Sequence, residues 1–242
     1  MALNTTIGLM KDMGRPRGDM REVALWQDVL TVNPKGAYYT YQVYNEAIVI
    51  PENVDAIRAL AGTTTNGREP IPVTVKEPYF SRVEQSIEAV RAAGADLVVF
   101  SIHWGPNMRH VPPQEFKEFA RAVMDAGADV FHGHSAHIFQ RIDIYERKPI
   151  LYDTGDLIDD YYVDVVHKKV QQFLFLVTAT GSGVERIELV PVLISNAQVN
   201  TAHRAVLDQI HERMQELSAA MGTEVRRKGD HLLIDVTKQG SR

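Results

Sequence analysis

One short phrase occurs twice in this chain, and each time it sits between a helical pattern and an apolar run. Ala93-Gly94-Ala95-Asp96 leads into Leu97-Val98-Val99-Phe100-Ser101-Ile102, and Ala126-Gly127-Ala128-Asp129 leads into Val130-Phe131. Val83, Ile87 and Val90 recur at helical spacing before the first phrase. Phe116, Phe119, Ala120, Val123 and Met124 do so before the second. Ser81-Arg82-Val83-Glu84 has the form of a capping box, which predicts that the first helix begins there, and the second is expected from about Pro113. Gly94 and Gly127 suit the left-handed residue that ends a helix and turns the chain into a strand. An uninterrupted apolar run fits a strand buried on both faces. Two strands joined by a helix are expected to be parallel with a right-handed crossover, so that their carboxyl ends share one sheet edge. That edge is where open α/β sheets bind ligands. The fold class expected is therefore α/β.

The rest of the chain adds strands of another kind. Ile142 to Tyr145 and Ile150 to Tyr152 read as a pair around Glu146-Arg147-Lys148-Pro149, and Phe173 to Thr178 as a partner of Val184 to Val190 across Gly181-Ser182-Gly183. Leu207, Ile210, Met214, Leu217 and Met221 mark one stripe of a long helix ended by Gly222, with a terminal hairpin around Lys228-Gly229-Asp230. The methionines of that stripe read as core packing. Residues 1–50 are poorly patterned, interrupted by glycine and proline, and Pro51 to Ala61 can form a short helix. A chain of 242 residues is about what one large α/β domain uses, so residues 1–242 are expected to form a single domain.

Histidines follow both repeated strands. His103-Trp104-Gly105 ends the first, and His132-Gly133-His134-Ser135-Ala136-His137 ends the second, with Asp153-Thr154-Gly155-Asp156 further on. Imidazole is the commonest ligand for zinc-like ions, and turns after strands let several rings converge on one ion. Carboxylates nearby can complete or orient the shell. A lone His103 would more readily be a hydrogen-bonded structural residue, but together His103, His134 and His137 point to metal binding. His132 is expected to point away from His134 and to act from behind the ligands. Trp104 either walls a pocket or fills the core. Asp153 stands as an orienting or pocket residue and Asp156 as a ligand, an orienting or a pocket residue, Asp159 and Asp160 as turn or cap residues, and Glu115 and Glu118 as part of a solvated helix face. The chain has no cysteine, which excludes disulfides and thiolate clusters. A net charge of −5 with dispersed basic residues gives no footprint for nucleic acid or anionic lipid, leaving small molecules or polymers as the expected partners.

At these residues the sequence resembles the capsule-synthesis CapA or poly-γ-glutamate biosynthesis family, over roughly Val75 to Gly222. Ser101-Ile102-His103-Trp104-Gly105 resembles the family's S-x-H-W-G, and Gly133-His134-Ser135-Ala136-His137 its G-H-x-x-H. Lys148-Pro149-Ile150-Leu151-Tyr152-Asp153-Thr154-Gly155-Asp156 resembles K-P-I-x-Y-S-x-G-N, with Asp153 in place of serine and Asp156 in place of asparagine. The resemblance implies a calcineurin-like metallophosphoesterase fold of layered α/β sheets. It further implies a two-metal site for divalent ions (zinc, manganese or iron) with His103, His134 and His137 among its ligands, acting on an anionic polymer or a phosphoester. Capsule-assembly partners and an envelope association are implied likewise.

The family's amino-terminal G-D, N-x-E and N-N-H motifs have no counterpart. Arg17-Gly18-Asp19-Met20 holds a glycine–aspartate pair, but it follows Gly14-Arg15-Pro16 rather than an apolar strand. The expectation is a fold lacking its amino-terminal portion, as in a carboxyl-terminal piece of a longer enzyme. A truncated paralogue, or a chain completed by another, would look the same. The alternatives in function are a non-catalytic polymer-binding envelope component and, last, a metal-dependent amidohydrolase on an unrelated fold. The first residues lack a basic start with an apolar stretch of about 7–15 residues, and no run approaches the ~18 apolar residues of a membrane span, so neither a signal peptide nor a span is expected.

Overall fold

The computed structural model describes residues 4–10, 21–25, 38–42, 75–76, 79–104, 108–157, 166, 168–195 and 198–240, with backbone alone for the first three segments and for residues 79, 82 and 103. The chain divides into two compact units: Met1–Pro16, Leu30–Trp104 and Pro113–Phe131 form the first, and Arg17–Val29, Gly105–Pro112 and His132–Arg242 the second.

The first unit holds both repeated phrases. Helix α1 (Tyr79–Ala92) leads to β4 (Leu97–His103), and α2 (Gln114–Asp125) leads to β5 (Val130–His134), whose first two residues belong to this unit. Both helices end alike. Gly94 and Gly127 have φ of 89° and 111°, and the following alanine amides reach back five residues, Ala95 to Val90 O and Ala128 to Val123 O, as in a Schellman turn. A staple then fixes the two turns. The Arg91 guanidinium donates to Ala95 O, Asp96 O and Gly127 O and pairs with the Asp129 carboxylate. Asp129 in turn accepts from the Val98 amide at 2.7 Å and donates its own amide to Val98 O at 2.8 Å. The second strand thus starts beside the start of the first and runs the same way, as expected.

The start of α1 differs from the expectation. The helix begins two residues before Ser81, so the Ser81–Glu84 pair lies inside it. Phe80 supplies the reason: it is buried, with its ring edge-on to Phe119 at 5.9 Å, and that packing draws the first turn forward. Trp104 is buried, the core placement that was one of its two expected roles. Its indole stacks on Phe116 at 4.4 Å and lies 4.9 Å from Phe131, beside the Phe100–Phe131 stack. Glu115 and Glu118 are exposed, as expected.

The poorly patterned amino-terminal region contains strands. β1 (Asn4–Met10) lies between β3 (Tyr38–Gln42) and β4, antiparallel to both, with Ile7 opposite Tyr41 and Phe100. β2 (Arg21–Leu25) pairs in the second unit. Their pairings are with partners remote in sequence, and local periodicity does not report such pairing. The helix expected over Pro51 to Ala61 lies outside the described residues.

In the second unit β6 (Ile142–Tyr145) and β7 (Lys148–Leu151) form a hairpin with Ile144 opposite Pro149. The turn is tighter than expected: Glu146 and Arg147 alone make it, both at positive φ, and Lys148 and Pro149 belong to the strand. β8 (Gln171–Thr180) and β9 (Gly183–Ser195) pair across Gly181 and Ser182, with a register shift at Thr178/Ala179. The sheet order is β11–β12–β9–β8–β2, where β11 is Arg226–Lys228 and β12 His231–Asp235; β10 (Gln198–Thr201) also pairs with β9. Helix α3 (Arg204–Ala219) buries Leu207, Ile210, His211, Met214 and Ser218. Ser218 takes the inward place expected of Leu217, because its hydroxyl accepts the Ile142 amide at 3.2 Å.

Candidate functional site

The β6–β7 hairpin builds the site. Its register continues past the strands: Phe139 bridges Thr154, and the Gln140 amide donates to Asp153 O at 3.0 Å. Two residues further along the same register His137 meets Asp156. The imidazole Nδ1 lies 2.9 and 3.0 Å from the two carboxylate oxygens. A two-residue turn thus sets which carboxylate faces which histidine.

The loop between β5 and the hairpin is held in an uncommon conformation. Ser135 has φ 131° and His137 φ 61°, positions where side chains other than glycine cost of order 1–3 kcal/mol each. Hydrogen bonds pin it from several sides. The Ala136 amide donates to Asp153 Oδ2 at 2.8 Å, Ala136 O accepts the Met108 amide at 2.8 Å, and His137 O accepts Gln172 Nε2 at 2.9 Å. Asp153 Oδ1 accepts the Gly155 amide at 2.9 Å, so one buried carboxylate ties the histidine loop to the 153–156 turn. Burial pushes the Asp153 carboxyl up to about 7, against the opposing pull of those two amide bonds.

His132 and His134 lie on β5 and are both buried, and their rings are 5.3 Å apart. The expectation that they point apart is thereby corrected: residues two apart on a strand share a face. His132 Nε2 lies 3.0 Å from Thr154 Oγ1, and burial lowers its pKa to about 4, so the ring is neutral at pH 7. Neutral imidazole is the form that ligates metals.

Sequence reasoning missed three residues here. Thr154 engages His132. Lys169, buried, lies with Nζ 3.6 Å from Asp156 Oδ2. Gln172, fully buried, donates to Lys169 O at 2.7 Å as well as to His137 O. The one available signal was two polar residues, Gln171 and Gln172, placed directly before the apolar run Phe173 to Val177.

The donor set suits a divalent ion in kind: buried neutral imidazole, and an imidazole oriented by a carboxylate. Among the described residues, no group of three or more His, Asp or Glu is arranged to hold a metal. The His103 side chain, and Asp159 and Asp160 altogether, lie outside the described residues.

The family model described as bacterial capsule synthesis protein PGA_cap matches residues 17–161, well over half of the chain. A Mycobacterium tuberculosis protein described as "Probable polyglutamine synthesis accessory protein" is 32% identical over 143 residues, covering 57% of this chain and 38% of the relative. The capsule biosynthesis protein CapA of Bacillus anthracis is 26% identical over 121 residues, 46% of this chain and 29% of that protein. A similarity over 61 residues, 25% of this chain, also joins it to 18% of glyceraldehyde-3-phosphate dehydrogenase from Pyrobaculum arsenaticum, at 51% identity. The chain thus spans well under half the length of each of these curated relatives.

Proposed function

Because the chain belongs to the bacterial capsule synthesis protein family PGA_cap, whose fold is metallophosphoesterase-like, we propose that it carries part of a metal-dependent hydrolase site acting on an anionic polymer or a phosphoester. His134 and His137, with His103, are the ligands in this reading. The observation that carries it is the pinned Ser135–His137 loop with His137 against Asp156: a strained conformation held by a buried carboxylate is the kind of arrangement kept for a site. Bound here, a divalent ion would polarise a phosphoryl or acyl oxygen and activate water. The chain's own residues do the rest of the positioning. Asp156 holds the His137 ring by Nδ1, leaving Nε2 as its donor, and Asp153 fixes the backbone that carries it.

Poly-γ-glutamate is the favoured polymer by the resemblance noted above; one relative is named for capsule biosynthesis and another for polyglutamine synthesis. The word accessory in one of those names supports a role beside assembly partners. The dehydrogenase similarity covers less than a fifth of that enzyme and carries no argument for its activity.

The test is metal content after purification without chelator, on the wild type and on His103→Ala/His134→Ala/His137→Ala. An ion held by the wild type and absent from the folded triple variant is expected. Two folded, metal-free proteins would overturn the metal reading and favour a polymer-binding role.

A further inference from the structure

Lys169 has no role in the site as built so far, yet its surroundings single it out. It is 2% exposed, and a lysine is almost never fully buried unless paired. Its ammonium lies 3.6 Å from Asp156 Oδ2, while Asp156 Oδ1 lies 2.9 Å from His137 Nδ1. The carboxylate is therefore held between a buried cation and an imidazole. Gln172 ties the two ends together through the main chain, donating to both Lys169 O and His137 O. Gly155 makes room for that clamp: a Cβ there would stand 2.0 Å from Gln172 Oε1. In this chain Asp156 and Lys169 form a matched pair.

We propose that Lys169 is a positioning residue, acting through Asp156 to keep the His137 ring with Nδ1 toward the carboxylate and Nε2 away from it. The proposal rests on the reading of His137 as a ligand only for its consequence, not for its geometry. With the ammonium on its other side, the Asp156 carboxylate is held facing Nδ1 as an acceptor, which favours the proton on Nδ1 and leaves the lone pair on Nε2. Without it, Asp156 is a buried charge lacking this partner and turns toward solvent or away from Nδ1, and the ring loses its fixed tautomer.

The experiment uses the full chain labelled with 15N-histidine, with His137 identified by the signals that vanish in His137→Gln. Long-range proton–nitrogen spectra of the metal-free protein should show His137 as the Nδ1-protonated tautomer. Lys169→Met should shift it toward a mixture, and Lys169→Arg, which keeps the charge, should restore it. Titration with zinc should show Lys169→Met weakened about tenfold or more, the range for loss of a group that orients a ligand. If Lys169→Met does not fold, Lys169→Met/Asp156→Asn removes both charges; the proposal expects that pair to fold and to show the mixed tautomer. An unchanged Nδ1-protonated His137 in either folded variant would overturn the proposal. If instead His137→Ala binds zinc as tightly as wild type while the tautomer responds to Lys169, the positioning role stands and the assignment of His137 as a ligand falls.

Discussion

Gly155 is the residue whose replacement should reach furthest. Its φ is +69°, and an added Cβ would lie 2.8 Å from Gln172 Cδ and 2.9 Å from the Phe139 backbone nitrogen. Neither neighbour is a free end: Gln172 is fully buried and clamped, and Phe139 is bridged to Thr154. Gly155→Ala is expected to lose about 2–4 kcal/mol in urea unfolding, since strain and overpacking add. His211 gives a second test at this scale. It is buried on α3 with Nε2 3.2 Å from Asp230 O, and Nδ1 has no hydrogen-bond partner among the described residues. Burial lowers its pKa, helped by Arg227. The unfolded chain therefore binds the proton more readily, and this residue's contribution to stability is lost as pH falls below about 6.5 toward the depressed folded value. The drop in urea midpoint between pH 7.5 and pH 5 should be smaller in His211→Gln than in wild type. An equal drop would show that His211 does not drive it.

At the scale of elements, the β6–β7 hairpin acts as the ruler of the site. Glu146 and Arg147 take φ of 47° and 61°, the conformation of a two-residue turn that Asn-Gly adopts with least strain. Glu146→Asn/Arg147→Gly should raise stability by about 0.5–2 kcal/mol without moving the register. The check is the urea midpoint together with an unchanged His137–Asp156 contact by NMR. The hairpin itself was legible, because β-branched and aromatic residues flank a charged turn. Its length was not: Pro149 reads as a turn residue until the pairing with Ile144 shows it inside a strand. The start of α1 departs from its local signal for a comparable reason. A capping box is a local signal, and the contact of Phe80 with Phe119, 39 positions on, overrides it.

At the scale of the whole molecule the question is how much of a metal site one chain supplies. If His134 and His137 ligate, His134→Ala should lower zinc affinity far more than His132→Ala, as read by calorimetry. His132 shares the β5 face with His134, but its Nε2 is taken by Thr154. Equal affinities in both variants would sink the assignment. Weak binding overall is expected, because the family's amino-terminal motifs have no counterpart in this sequence. Tight binding of two ions per chain would show that other residues here replace them. Among the described residues no helix is long and apolar enough to cross a membrane.

The sequence by itself determined the repeated helix–strand units, the histidine loop and the hairpin that follows it. These rest on short-range physics: helical spacing, left-handed glycines and turn chemistry act within a dozen residues and leave a pattern in them. The tertiary structure decided the rest. The pairing of β1, β2 and β3, the burial of Trp104 among three rings, and the gathering of Lys169 and Gln172 onto His137 all depend on partners far along the chain. A buried lysine is indistinguishable in sequence from a surface one. Only the fold, by removing it from water beside Asp156, gives its charge something to do.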